Sequence, residues 1–109
     1  MAPMDATFAA LADPTRRGVV ELLRARPRKA GELAQSLSLE PAALSRHLRI
    51  LKKAGLVADE HPDHDARVRL YSLKREAFSD LRAWLDEVEA FWMRQLEGFA
   101  EYLETKDET

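Results

Sequence analysis

A seam of apolar residues in the last third of the chain constrains its fold most. Phe78, Leu81, Leu85, Val88, Trp92, Leu96, Phe99 and Leu103 recur at spacings of three and four. That period belongs to a helix, and carried over so many turns it is coiled-coil-like. A helix of about 29 residues would extend about 43 Å, at about 1.5 Å per residue. Trp84, Phe91 and Tyr102 add a second flank. The apolar surface is then wider than a body of this size needs, and the simplest cover is a second copy across a two-fold axis. The spacing predicts a dimerisation helix over about 75–104, with Leu81, Trp84, Leu85, Val88, Trp92, Leu96 and Phe99 in the interface. Met4 and Phe8, on a short amphipathic N-terminal helix, are expected to join them.

What remains suits a single domain, 1–109. Of the 109 residues, 46% are hydrophobic and 33% charged, which reads as globular and helix-rich. No cysteine is present, so disulfides, thiolate metal sites and a cysteine nucleophile are excluded together. The first residues lack the basic flank of a signal peptide, and no apolar run could cross a bilayer. The expected location is the cytoplasm, without a membrane partner.

The net charge of -2 hides a strong asymmetry. Residues 14–54 carry ten Lys or Arg against three acids, whereas residues 74–109 carry five against ten. A polyanion responds to that local field rather than to the sum. The basic segment is also the most organised. Asp13 and Pro14 are a helix start signal, with Val19, Leu22 and Leu23 as the buried stripe. "AGELAQSL" is a two-turn helix, and after "SLEP" a longer one opens at Pro41. Leu44, Leu48 and Leu51 lie on its inner face, and Gly55 ends it. Two such helices over about 30–54 make a helix-turn-helix, whose second helix enters the DNA major groove.

Beyond it the period changes to two. Val68, Leu70 and Ser72 alternate with Arg67, Arg69 and Tyr71, a strand pattern. With the turn formers "PDHD" this predicts a β-hairpin over about 56–73, with Arg67 and Arg69 near its tip. The fold expected is mainly α with a small β-hairpin: a winged helix-turn-helix whose N- and C-terminal helices form a dimer interface.

Taken in order, "FAALADPTRRGVVELL", "AGELAQSL", "LSRHLRILKKAGLV" and "VRLYSL" resemble the ArsR family of dimeric winged-helix transcriptional repressors. The resemblance covers roughly residues 5 to 100. It implies a cytoplasmic homodimer that binds a near-palindromic operator, usually in its own promoter, and represses. Metal-sensing relatives carry cysteines on the third helix; the matching positions here are Lys29, Gly31 and Ala34, and the last helix has no His. The resemblance therefore carries DNA binding and not metal sensing, and no cofactor is expected.

The expected partner is double-stranded DNA. Arg46 is the strongest candidate contact, to guanine or to phosphate. Ser45 supplies a further hydrogen bond, and Ala42 and Ala43 can touch thymine methyls. Glu40 either accepts from cytosine or, the preferred reading, caps the helix. His47 is either a packing residue or a DNA contact. Arg49, Lys52, Arg16 and Arg17 are expected to position the backbone, and Arg67 and Arg69 to meet phosphate or the minor groove. Two alternatives stand beside this. One is a protein-interaction module docking through the long helix. The other is a metal-responsive repressor with a site at the wing, where His61, Asp63, His64 and Asp65 are ligand types lacking a completing cluster. A small-molecule or protein effector is left open. An enzyme is not expected, since no catalytic motif is present.

Overall fold

The computed structural model describes residues 3–62 and 67–107. Its elements are α1 (Pro3–Leu11), α2 (Pro14–Ala25), β1 (Arg28–Lys29), α3 (Ala30–Leu37), α4 (Pro41–Lys53), β2 (Val57–Glu60), β3 (Leu70–Leu73) and α5 (Arg75–Asp107). They form two compact units, one ending at Phe78 and the other beginning at Ser79.

Local chemistry sets the boundaries in the first unit. Asp13 Oδ1 accepts from the backbone N–H groups of Thr15 (2.8 Å) and Arg16 (3.1 Å), which satisfies two of the orphan donors of α2. Those bonds, that from Arg16 first, hold the Asp13 carboxyl below its ordinary value. At the end of α3, Ser38 turns left-handed (φ 53°), and the N–H of Leu39 reaches back to the Ala34 carbonyl at 2.9 Å. This is how two helices are joined by so few residues without glycine. Glycine does serve at the end of α4, where Gly55 takes φ 80° and Leu56 N–H bonds to the Leu51 carbonyl. Glu40 occupies the N-cap position of α4, but its side chain makes no capping bond. The capping role expected of it is not realised.

The sheet departs from a plain hairpin. Its order is β1-β3-β2, antiparallel throughout, with Val57 opposite Leu73, Asp59 opposite Tyr71, and Arg28 opposite Tyr71 on the other side. The sequence "RPRK" ends α2 as expected, but its last two residues then pair with β3. The strand β3 begins only at Leu70, so Arg67 and Arg69 precede it. Tyr71 is the buried residue of β3, whereas Leu70 and Ser72 are only half-buried.

One core unites these pieces. Val19, Leu33, Leu44, Leu51, Leu56 and Val57 are all fully buried, each contributing roughly 1.5–3 kcal/mol of hydrophobic transfer. Leu23, Leu48 and Tyr71 extend it, and Ala77 and Phe78 of the first turn of α5 pack on its edge. Leu22, expected inside, is half-buried.

The second unit is the remainder of α5. The helix starts where expected and runs to Asp107 rather than about 104, so it spans about 50 Å at about 1.5 Å per residue. Its seam residues are exposed on it: Trp92 and Phe99 by 60% each, Leu85 by 50%, Val88 by 47% and Leu96 by 44%.

Candidate nucleic-acid interface

The helix α4 has two faces with different work. Leu44, Leu48 and Leu51 are at most 4% exposed and lock the helix against α2, α3 and β2. Ala42, Ser45, Arg46, Arg49 and Lys52 lie on the open face; Ala43 and His47 are half-buried at its border. Among the described residues neither Arg46 nor Arg49 has a hydrogen-bond or ion-pair partner. Two guanidinium groups with no internal partner, on a helix fixed by three leucines, form a donor array for an external acceptor.

The other cations sort differently. Arg16 does not stand in solvent, because its side chain is 15% exposed. Its Nε donates to the Ala10 carbonyl (2.7 Å) and its Nη2 to the Ala9 carbonyl (3.3 Å), capping the end of α1. Its Nη1 lies 3.4 Å from His47 Nδ1. A guanidinium can only donate, so in this contact Nδ1 can only be the acceptor. Arg16 thus links the end of α1 to α4, with most of its side chain turned inward rather than toward solvent. Arg17 remains exposed but donates to the Leu11 carbonyl at 2.8 Å.

Lys52 and Arg69 share one carboxylate. Asp59 Oδ1 meets Lys52 Nζ at 2.6 Å, and Asp59 Oδ2 meets Arg69 Nε at 3.2 Å. The Asp59 side chain is 9% exposed. Its carboxyl is held below its ordinary value by the Lys52 hydrogen bond first, against burial, and then by the charges of Lys52 and Arg69. This node joins the end of α4 to both arms of the wing. The sequence contained a signal for it, since period two puts Asp59 on the inward face of Val57, directly opposite Tyr71. A lone acid on an inward strand face needs a cation.

At the wing, Arg67 is exposed. His61 Nδ1 lies 2.9 Å from the Val68 carbonyl, bridging the two arms. Asp63, His64 and Asp65, the other members of the ligand-type group, lie outside the described residues. Among the expected interface residues, Met4 and Leu81 are half-buried, while Phe8 and Trp84 are about 40% exposed.

Comparison with known proteins decides the class. The family model for bacterial regulatory proteins of the arsR family matches residues 13–59, the span from the α2 cap to the Asp59 node. The HTH-type transcriptional regulator Rv2034 of Mycobacterium tuberculosis is 41% identical over 102 residues, covering 94% of this chain and 90% of its own. The chain belongs to the arsR family. The transcriptional repressor SdpR of Bacillus subtilis is 32% identical, over 75% of this chain and 88% of its own. Among solved structures, the ArsR family transcriptional regulator RHA00566 superposes with a TM-score of 0.76 at 31% identity, covering 84% of this chain and 97% of that one. The arsR family is a class of regulators and not of enzymes, and its winged helix-turn-helix is the architecture described above.

Proposed function

We propose that this protein is an autoregulating repressor that binds a near-palindromic operator in double-stranded DNA as a homodimer. The observation that carries the reading is the divided face of α4: three buried leucines inside, and Arg46 and Arg49 outside without internal partners. In this reading α4 lies in the major groove, with Ala42, Ala43, Ser45 and Arg46 at base edges. Arg49, Lys52, Arg17, Arg67 and Arg69 meet phosphates, Lys52 and Arg69 keeping Asp59 as their anchor. His47 orients the helix through Arg16. Repression is supported by the likeness to SdpR, a repressor by name. The dimer is supported by the apolar residues exposed along α5. Among the described residues no helix is long and apolar enough to cross a membrane. In this reading the protein works in the cytoplasm, beside its DNA.

The test is fluorescence anisotropy with a duplex from upstream of its own gene and a scrambled duplex, across a salt series. Tight binding that prefers the native duplex and weakens steeply with salt is the expected result, because each neutralised phosphate releases counterions. Equal, weak binding to both would favour a protein partner instead.

A further inference from the structure

A concavity of about 320 Å³ opens in the first unit between α3, α4 and β3. That is the lower end of the size range of small-molecule sites, roughly 300–1,000 Å³. Its apolar lining comes from Leu44 and Leu48 of α4 with Ala30 and Ala34 of α3. The α3 wall is built from residues too small to fill the space. Gly31 is the clearest case, since a Cβ placed there meets nothing within 4 Å and the residue has no left-handed backbone to require glycine. A glycine in a helix costs roughly 1 kcal/mol against alanine, and no close packing here requires it.

Another part of the lining is polar. It carries Arg69 and Tyr71 from the wing and Ser45 from the open face of α4. Arg69 is 53% exposed, and the carboxylate beside it is shared with Lys52. The Arg69 Nε is held by Asp59 at 3.2 Å and its guanidinium also bonds to Tyr71, but with five N–H donors it keeps some for an outside acceptor. An apolar lining with room for at least one ring, beside a guanidinium with donors to spare, is complementary to a planar apolar acid carrying one carboxylate. A DNA phosphate could use the same guanidinium but would leave the apolar lining uncovered.

We propose that this concavity binds a small aromatic monocarboxylate, and that its occupancy opposes DNA binding by engaging Arg69 and Ser45. The second half rests on the DNA-binding reading above; the first does not. The test uses the full chain, labelled with nitrogen-15, and two probes of similar size, benzoate and neutral benzamide. Benzoate is expected to produce saturable amide shifts in residues 30–34, 44–48 and 69–71, with benzamide roughly tenfold weaker. Gly31→Leu, which projects a side chain into open space and replaces a poor helix former, should fold, melt no lower, and lose the benzoate shifts. Arg69→Gln should reduce benzoate to the level of benzamide. Absence of saturable shifts with benzoate overturns the site, as does unchanged binding in Gly31→Leu. Equal binding of the two probes overturns the acid as its ligand. In the anisotropy assay, benzoate should weaken operator binding by the parent chain and leave that of Gly31→Leu unaffected. Benzoate bound in the concavity with operator affinity unchanged overturns the regulatory half. A chain that binds benzoate but no DNA overturns the DNA-binding reading and leaves the site standing.

Discussion

Two amphipathic helices in this molecule obey the same period and meet different fates. The leucines of α4 are at most 4% exposed, whereas the seam residues of α5 from Leu85 to Leu103 are 44–60% exposed. Period states which face of a helix is apolar; it does not state whether the chain itself supplies the cover. In α4 the cover is intramolecular and the polar face is exposed, the face proposed here to meet DNA. In α5 the apolar face itself is exposed, and in the proposed dimer a copy of the same helix covers it. The most forceful way to break this contrast is to damage each face in turn. Leu51→Ala, in the fully buried set, should cost about 2–5 kcal/mol, a large part of a typical domain stability of about 5–15 kcal/mol. Denaturant unfolding would read it. Trp92→Asp should leave the first unit folded and convert dimers to monomers by sedimentation. Unchanged dimers would refute the assignment of that surface.

The contrast also marks what the sequence could reveal. Periodicity exposed α2, α3, α4 and α5, because each carries one apolar stripe, and the pairing of Asp13 with Pro14 exposed the start of α2. The strand β1 was invisible, since two residues have no period of their own and form a strand only because β3 lies beside them. The clamp by Arg16 was equally hidden. Its carbonyl partners, Ala9 and Ala10, are backbone groups at a helix end whose position depends on the corner between α1 and α2. Arginines look alike in sequence, and it is the tertiary fold that separates Arg16, spent on carbonyls, from Arg46, left for an outside acceptor.

That separation gives the next prediction. Arg46→Ala should lose about 1–3 kcal/mol of discrimination at one operator position while the melting temperature stays unchanged. Arg16→Ala should do the reverse first, lowering the melting temperature because α1 loses its cap and His47 its donor. Anisotropy on native and scrambled duplexes beside a thermal melt distinguishes them. Equal loss by Arg46→Ala on both duplexes would make Arg46 a phosphate contact only.

Among the described residues, three carboxyls should make the first unit sensitive to acid. Asp13, Glu32 and Asp59 are all held below their ordinary values, by Arg16 N–H, by Arg26, and by Lys52 respectively as the foremost cause. A carboxyl depressed in the folded state adds stability that is complete above its unfolded value and is lost as pH falls through the folded one. Stability should therefore be flat near neutrality and fall on the acid side. Asp59→Asn should shrink that acid-side fall and loosen the wing, seen as faster amide exchange in β2 and β3. An identical acid limb in Asp59→Asn would show that the node contributes nothing to it.

The smallest effect sharpens the comparison most, because it uses the same substitution in both units. Gly55 ends α4 at φ 80°, and Gly98 lies inside α5 without a positive φ; an added Cβ meets nothing within 4 Å at either position. Clash is therefore absent from both, and only the backbone and any external partner remain. Gly55→Ala should destabilise by about 1 kcal/mol, since a left-handed backbone disfavours a side chain. Gly98→Ala should stabilise by a similar amount, about 1 kcal/mol, through helix propensity alone. If Gly98→Ala instead lowers the melting temperature, and does so more at concentrations that hold the dimer together, a partner helix approaches α5 closely at Gly98. The interface would then extend onto that side of α5 as well as along the seam.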